Sequence, residues 1–171
     1  MAALAHVGVG LAGKKLAPGV PLGVLLLGAW AIDIVWAGFW LAGLDHLPTV
    51  GLDVPAPWSH SLLMAVLLSL GAAFVTSLFG RRAATRAFIA LLVFSHWIVD
   101  YITQPMNAAF PGAGFRMRVF FSASPTIRGL GLYDSTPVMY VVDYGVLLAG
   151  IVIYVATVRR GRSREEALPR T

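Results

Sequence analysis

Cysteine is absent from the 171-residue chain. That removes disulfides, thiolate metal ligands and cysteine-held iron–sulfur clusters. Charge is scarce as well. Only 12% of the residues are charged, where a soluble domain carries about 25%. Nor is any internal repeat detectable, which counts against the repeat-built transporter folds, unless the chain oligomerises. Any chemistry therefore falls to a few histidines, carboxylates and hydroxyls.

What the chain has in quantity is apolar sequence. Hydrophobic residues make up 58%, mean hydropathy is +0.78, and the apolar residues are gathered into long blocks. This composition predicts a polytopic membrane protein of the all-α class. The formal charge of +5 could suggest a nucleic-acid partner, but most Lys and Arg stand in short segments beside apolar blocks. Such placement marks membrane topology, so no nucleic-acid partner is expected.

Residues 1–13 are apolar but too short to cross, and read as an interfacial or re-entrant piece. Four spans are expected, at about 22–41, 59–79, 84–102 and 137–158, each near the ~20 residues that a bilayer core requires. Ser59 is a candidate N-cap for the second, and Pro137 suits the first turn of the fourth. Connections at 42–58 and 103–136 separate them, the latter with an extended piece near Phe115–Phe121, and 159–171 forms a basic tail, disordered or partly helical. Ten basic residues (Lys14, Lys15, Arg81, Arg82, Arg86, Arg159, Arg160, Arg162, Arg164, Arg170) fall on one side of this arrangement and three (Arg116, Arg118, Arg128) on the other. The positive-inside rule then puts both termini in the cytoplasm and the two longer connections outside. All four spans form one compact bundle in this reading.

Ionisable groups inside the spans carry the functional signal, because each is costly in lipid unless it faces partners. His96 and Asp100 are four residues apart and so share a helical face. His60 begins the second span, Asp143 lies early in the fourth, and Asp33 sits near the middle of the first. In the four-span arrangement all five fall in the same half of the bilayer. Imidazole nitrogen and carboxylate oxygen suit zinc, iron or manganese. The economical constellation is His60, His96 and Asp100, with Asp33 as fourth ligand or base. Asp143 would accept from a ligand imidazole, act as a carboxylate base or ligate directly. A divalent ion so held lowers the pKa of bound water toward 7.

Each group also has a plainer reading. His96 and Asp100 can be a structural pair, His60 a hydrated interfacial residue, and Asp33 a partner of Ser or Tyr. Asp143 can pair with Arg116 or Arg128. His46, beside Asp45, reads as solvated, and His6 falls on the cytoplasmic side, away from the cluster. Trp36, Trp40, Trp58 and Trp97 read as an interfacial aromatic belt.

The stretch Trp58-Ser59-His60-Ser61-Leu62-Leu63 resembles the Thr-His-Ser-Leu element of the bacterial inner-membrane proteins described as metal-dependent hydrolases, the family with the LexA-regulated member. Ser95-His96-Trp97-Ile98-Val99-Asp100 is similar to that family's later Ser-His-x-x-x-Asp element, and Ala31-Ile32-Asp33 falls where the family has Pro-Asp-x-Asp-His. The likeness covers residues 25–105 and, faintly, 129–135. Val35 and Trp36 stand in place of the family's second Asp and its His, and Ala56-Pro57-Trp58 in place of a His-Arg-Gly; His6 matches an early family histidine.

The resemblance implies a multi-pass protein of the bacterial inner (cytoplasmic) membrane with a His/Asp metal site. With fewer ligands than the full pattern, one metal is easier to hold than two. The expected activity is hydrolysis of a lipid or phosphate ester at the outer membrane face, with membrane lipids as partners and Arg116 or Arg118 receiving an anionic headgroup. The alternative is a non-catalytic accessory subunit of a larger membrane protein complex; a small transporter or proton relay would use the same carboxylates.

Overall fold

The computed structural model describes residues 3–43, 58–103, 116–119, 126–132 and 135–166. Among these are six α-helices and one two-stranded hairpin. Helix α1 is Ala3–Leu16, α2 is Leu22–Ala29 and α3 is Ala31–Leu41. A 3-10 turn, Trp58–His60, leads into α4, Leu62–Leu78, which α5, Ala83–Thr103, follows. Strands β1, Arg116–Arg118, and β2, Thr126–Arg128, precede α6, Thr136–Glu166.

Among the described residues the expected four spans are not found. Two helices, α5 and the Thr136–Ser163 part of α6, are long and apolar enough to cross a membrane. A third crossing exists only if α2 and α3 count as one span, and these are bent by 58° about Trp30. The stretch expected as a span over 59–79 yields a helix of 17 residues, which rises about 25 Å against a ~30 Å hydrocarbon core. Hydropathy had merged the 3-10 turn with the helix after it. The N-cap is accordingly Ser61, not Ser59: Ser61 Oγ accepts the Met64 N–H at 3.1 Å. At its far end α6 continues to Glu166, so the basic tail begins as helix.

The placement of both termini on one side also fails. Ala5 packs against Met139, Val142 and Val146 of α6, while Gly8 meets Val146 and Leu147 further along. Residue numbers rise together, so α1 and α6 run parallel, and Ala3 at the start of α1 and Glu166 at the end of α6 lie toward opposite ends of the pair. Gly13 of α1 meets Phe88 and Ala5 meets Val99, so α1 is antiparallel to α5. Lys14 and Lys15 thus lie level with the start of α5 and with the distal part of α6, whereas the start of α1 reaches toward the end of α5. The stretch expected as an interfacial or re-entrant piece is, from Ala3 on, a helix that turns back along the molecule.

Two features hold α1 there. Gly8 and Gly150 face one another so closely that a Cβ on either would strike the other helix's backbone, the close approach that small residues permit between apolar helices. Lys14 Nζ donates to Val20 O at 2.8 Å, closing the turn through Pro18, Gly19 and Pro21 before α2.

The buried residues of α5 (Ile89, Leu92, Val93, His96, Trp97, Asp100 and Thr103) recur every three or four positions, one helical stripe. Its lower part packs with Ala17, Val20, Leu25 and Ala29, and its upper part with Ile32 and Ala65. The hairpin lies over the second group. Ile127 packs against it, Leu63 N–H donates to Val119 O at 3.0 Å, and Leu130 N–H to Tyr101 O at 2.8 Å. β1 falls within the stretch expected to be extended. By contrast α6 keeps large apolar side chains exposed, among them Val141, Leu148 and Val152.

The glycine crossing generates a prediction. Gly150→Ala or Gly8→Ala should destabilise the detergent-solubilised protein by about 1–3 kcal/mol, the usual range for overpacking. Gly71→Ala, where a Cβ meets nothing within 4 Å, should not. Denaturant titration of the three variants checks it, and equal stability of all three would contradict the crossing.

Candidate metal centre

The site begins at the bend between α2 and α3. The last carbonyls of a helix have no intrahelical partner, and Ala29 is the final residue of α2. Its oxygen lies 2.8 Å from His96 Nδ1. A carbonyl only accepts, so Nδ1 carries the hydrogen and donates. In the neutral imidazole this fixes Nε2 as a bare lone pair.

His96 Nε2 is buried and has no hydrogen-bond partner, the single such side-chain atom recognised among the described residues. An unmade hydrogen bond at a buried group costs about 1–3 kcal/mol. What Nε2 faces is two carboxylates: Asp33 Oδ1 at 3.5 Å and Asp100 Oδ2 at 3.4 Å. The same two oxygens face His60 Nε2, at 3.3 and 3.5 Å.

Two nitrogens and two oxygens thus alternate around one point, with four N–O separations of 3.3–3.5 Å. Charge-assisted N–H···O bonds are shorter, about 2.7–2.9 Å. A tetrahedron with metal–ligand bonds of ~2.0–2.1 Å has edges of about 3.3–3.4 Å. Four of a tetrahedron's six edges thus have the length that a divalent first-row ion sets, and the ligand atoms of Asp33, His60 and His96 lie within 4.8 Å of one another, with no cysteine needed.

His60 is held independently of the cluster. Its Nδ1 is 3.0 Å from Ser59 Oγ, and Trp97 Nε1–H donates to the His60 carbonyl at 3.1 Å. Trp97 is thus a buried clamp on the 3-10 turn, stacked on Tyr101 at 5.4 Å, and not a member of an interfacial belt. Asp33 side-chain exposure is 18%, against 7% for His60, 3% for Asp100 and none for His96. The opening of the site is on the Asp33 side.

His6 is the residue that the sequence reading set aside. Its Nε2 lies 3.2 Å from Asp100 Oδ1, and its ring stacks on His96 at 3.7 Å and 9°. It completes a second grouping with metal-binding potential, His6, His96 and Asp100, beside Asp33, His60 and His96. The near-parallel rings decide between them. An ion in the plane of the His96 ring stands almost a full ring spacing out of the His6 plane, where His6 has no lone pair. His60 and His96 are inclined at 59°, so their planes intersect and both can aim at one ion.

Of the other expected site residues, Asp143 stands apart from both groupings. Its Oδ1 accepts the Ala5 N–H at 2.7 Å, taking one of the donors that every helix N-terminus leaves unsatisfied. Arg116 and Arg118 lie in β1, but their side chains, like His46, fall outside the described residues. What could have found His6 was the pair of small residues Gly8 and Gly10 in a segment too short to span, each admitting a different neighbour, α6 at Gly8 and α2 at Gly10.

No protein-family profile, no curated protein and no solved structure matches this chain.

The capping bond gives the second prediction. Asp143→Ala should cost about 0.5–2 kcal/mol by releasing the start of α1, and Asp143→Asn, which keeps an acceptor, should cost less. Thermal denaturation in detergent checks this; identical losses from both would show that the acceptor at Ala5 is not what matters.

Proposed function

We propose that this chain is an integral protein of a bacterial inner membrane that holds one divalent ion, zinc, iron or manganese, at His60, His96, Asp33 and Asp100. In this reading it hydrolyses a lipid or phosphate-ester substrate. The orphaned Nε2 of His96, buried between two carboxylates, carries the proposal. An apolar interior tolerates buried charge only when it is paired or bound to metal, and a bare imidazole nitrogen cannot donate to either carboxylate. A cation at their common centre satisfies all the donor atoms together. The resemblance of the Trp58–Leu63 and Ser95–Asp100 stretches to membrane hydrolases agrees with it.

When bound, such an ion supplies a Lewis acid and an activated water at neutral pH. The chain's own residues do the rest. Ala29 O and Ser59 Oγ orient the two imidazoles through their far nitrogens, an arrangement typical of metal-bound histidine. Where His60, His96 and Asp100 alone hold the ion, Asp33, the more exposed carboxylate, would instead take a proton from an incoming water. Arg116 or Arg118, in β1, would receive an anionic headgroup.

Elemental analysis of the detergent-purified protein tests the reading, together with hydrolysis of phosphatidic acid in mixed micelles. About one equivalent of zinc, iron or manganese is expected, absent from His96→Ala and Asp100→Asn, with a hydrolytic rate that chelation abolishes. Metal without hydrolysis of any lipid phosphate would retain the centre and remove the activity. A well-folded protein that takes up no metal after divalent ions are added back would overturn the whole reading. The cluster would then be a structural network, as expected of an accessory subunit in a larger complex.

A further inference from the structure

His6 takes part in no ligand set that its ring plane allows, yet it is buried to 2% exposure at the heart of the molecule. The carboxylate of Asp100 only accepts, so His6 Nε2–H donates to Oδ1. The other oxygen, Oδ2, is the one facing His60 and His96. The division of labour is sharp: one oxygen is held by α1, and the other is presented to the ion centre.

We infer that the amino-terminal helix completes the metal centre, with His6 acting as the positioning residue that fixes Asp100. This rests on the metal reading above and deepens it. A carboxylate on a helix rotates about two side-chain bonds, so one tethered oxygen determines where the other points. The tether's height is set by the body of α1. Asp143 holds Ala5, the residue before His6, and the Gly8–Gly150 contact fixes the helix one turn on. Two anchors of α1, one on each side of His6, thus serve one hydrogen bond. The stacked His96 ring adds a flat wall against which His6 lies.

Donation and stacking can be separated by substitution. His6→Gln keeps an N–H donor for Asp100 and loses the ring. His6→Phe keeps a ring against His96 and loses the donor. Cobalt(II) is the probe, because its visible absorption reports both affinity and coordination geometry. Each variant is compared by circular dichroism and monodisperse elution before titration. If His6→Phe does not fold, His6→Met fills similar volume without a donor and takes its place.

Partners that orient metal ligands through hydrogen bonds typically change affinity by about 10–100-fold when removed. The expected result is that His6→Phe loses affinity in that range with an altered cobalt spectrum, while His6→Gln stays within a few-fold and keeps the unaltered spectrum. If His6→Phe matches the unaltered protein and His6→Gln does not, the ring only packs and the positioning role is overturned. If both variants lose affinity alike, His6 is itself a ligand and the inference again fails. No cobalt binding by the unaltered protein would overturn the metal reading along with this one, which separates the two failures.

Discussion

The bond from His96 Nδ1 to Ala29 O, 2.8 Å long, is the constraint on which the rest of the centre depends. It requires a free carbonyl deep in an apolar interior, and a straight helix would have none. The 58° bend about Trp30 provides it. Kinks arise where a side chain enters the hydrogen-bond ladder, and here the entering side chain is His96. The bend also turns α3 so that Asp33, a few residues on, comes within 3.5 Å of His96 Nε2. One local irregularity therefore sets an imidazole's tautomer and delivers a carboxylate to its other nitrogen.

Around that bond the four donors come from three kinds of element. Asp33 is on a bent helix, His60 on a 3-10 turn, and His96 and Asp100 on the longest buried stripe. Only the last pair is local in sequence. The others need α4 to start where Ser61 caps it, Trp97 to hold the turn, and the hairpin to cover both helix ends. α1 lies between this assembly and α6. It is too short to cross a membrane, and its parallel contact with α6 through Gly8 and Gly150 gives it a fixed depth instead.

The cluster was legible in the sequence to the extent that its residues are expensive. Asp33, His60, His96 and Asp100 stand out because apolar blocks surround them, and the i, i+4 pair needed no tertiary information. The span count was not legible, because hydropathy measures composition and neither the bend at Trp30 nor the 3-10 turn at Trp58–His60 changes composition much. His6 was missed for a related reason. The charge rule follows loops between spans and says nothing about a short helix that folds back. Trp97 looked like an interfacial residue because its burial depends on the position of His60, far away in the chain.

The central claim is that two imidazoles and two carboxylates share one ion. X-ray absorption at the metal edge of the loaded, detergent-purified protein tests it most directly. The account predicts a first shell of nitrogen and oxygen near ~2.0–2.1 Å, with outer-shell scattering that requires two imidazoles. A shell with one imidazole or none would place the ion elsewhere on the protein and contradict it.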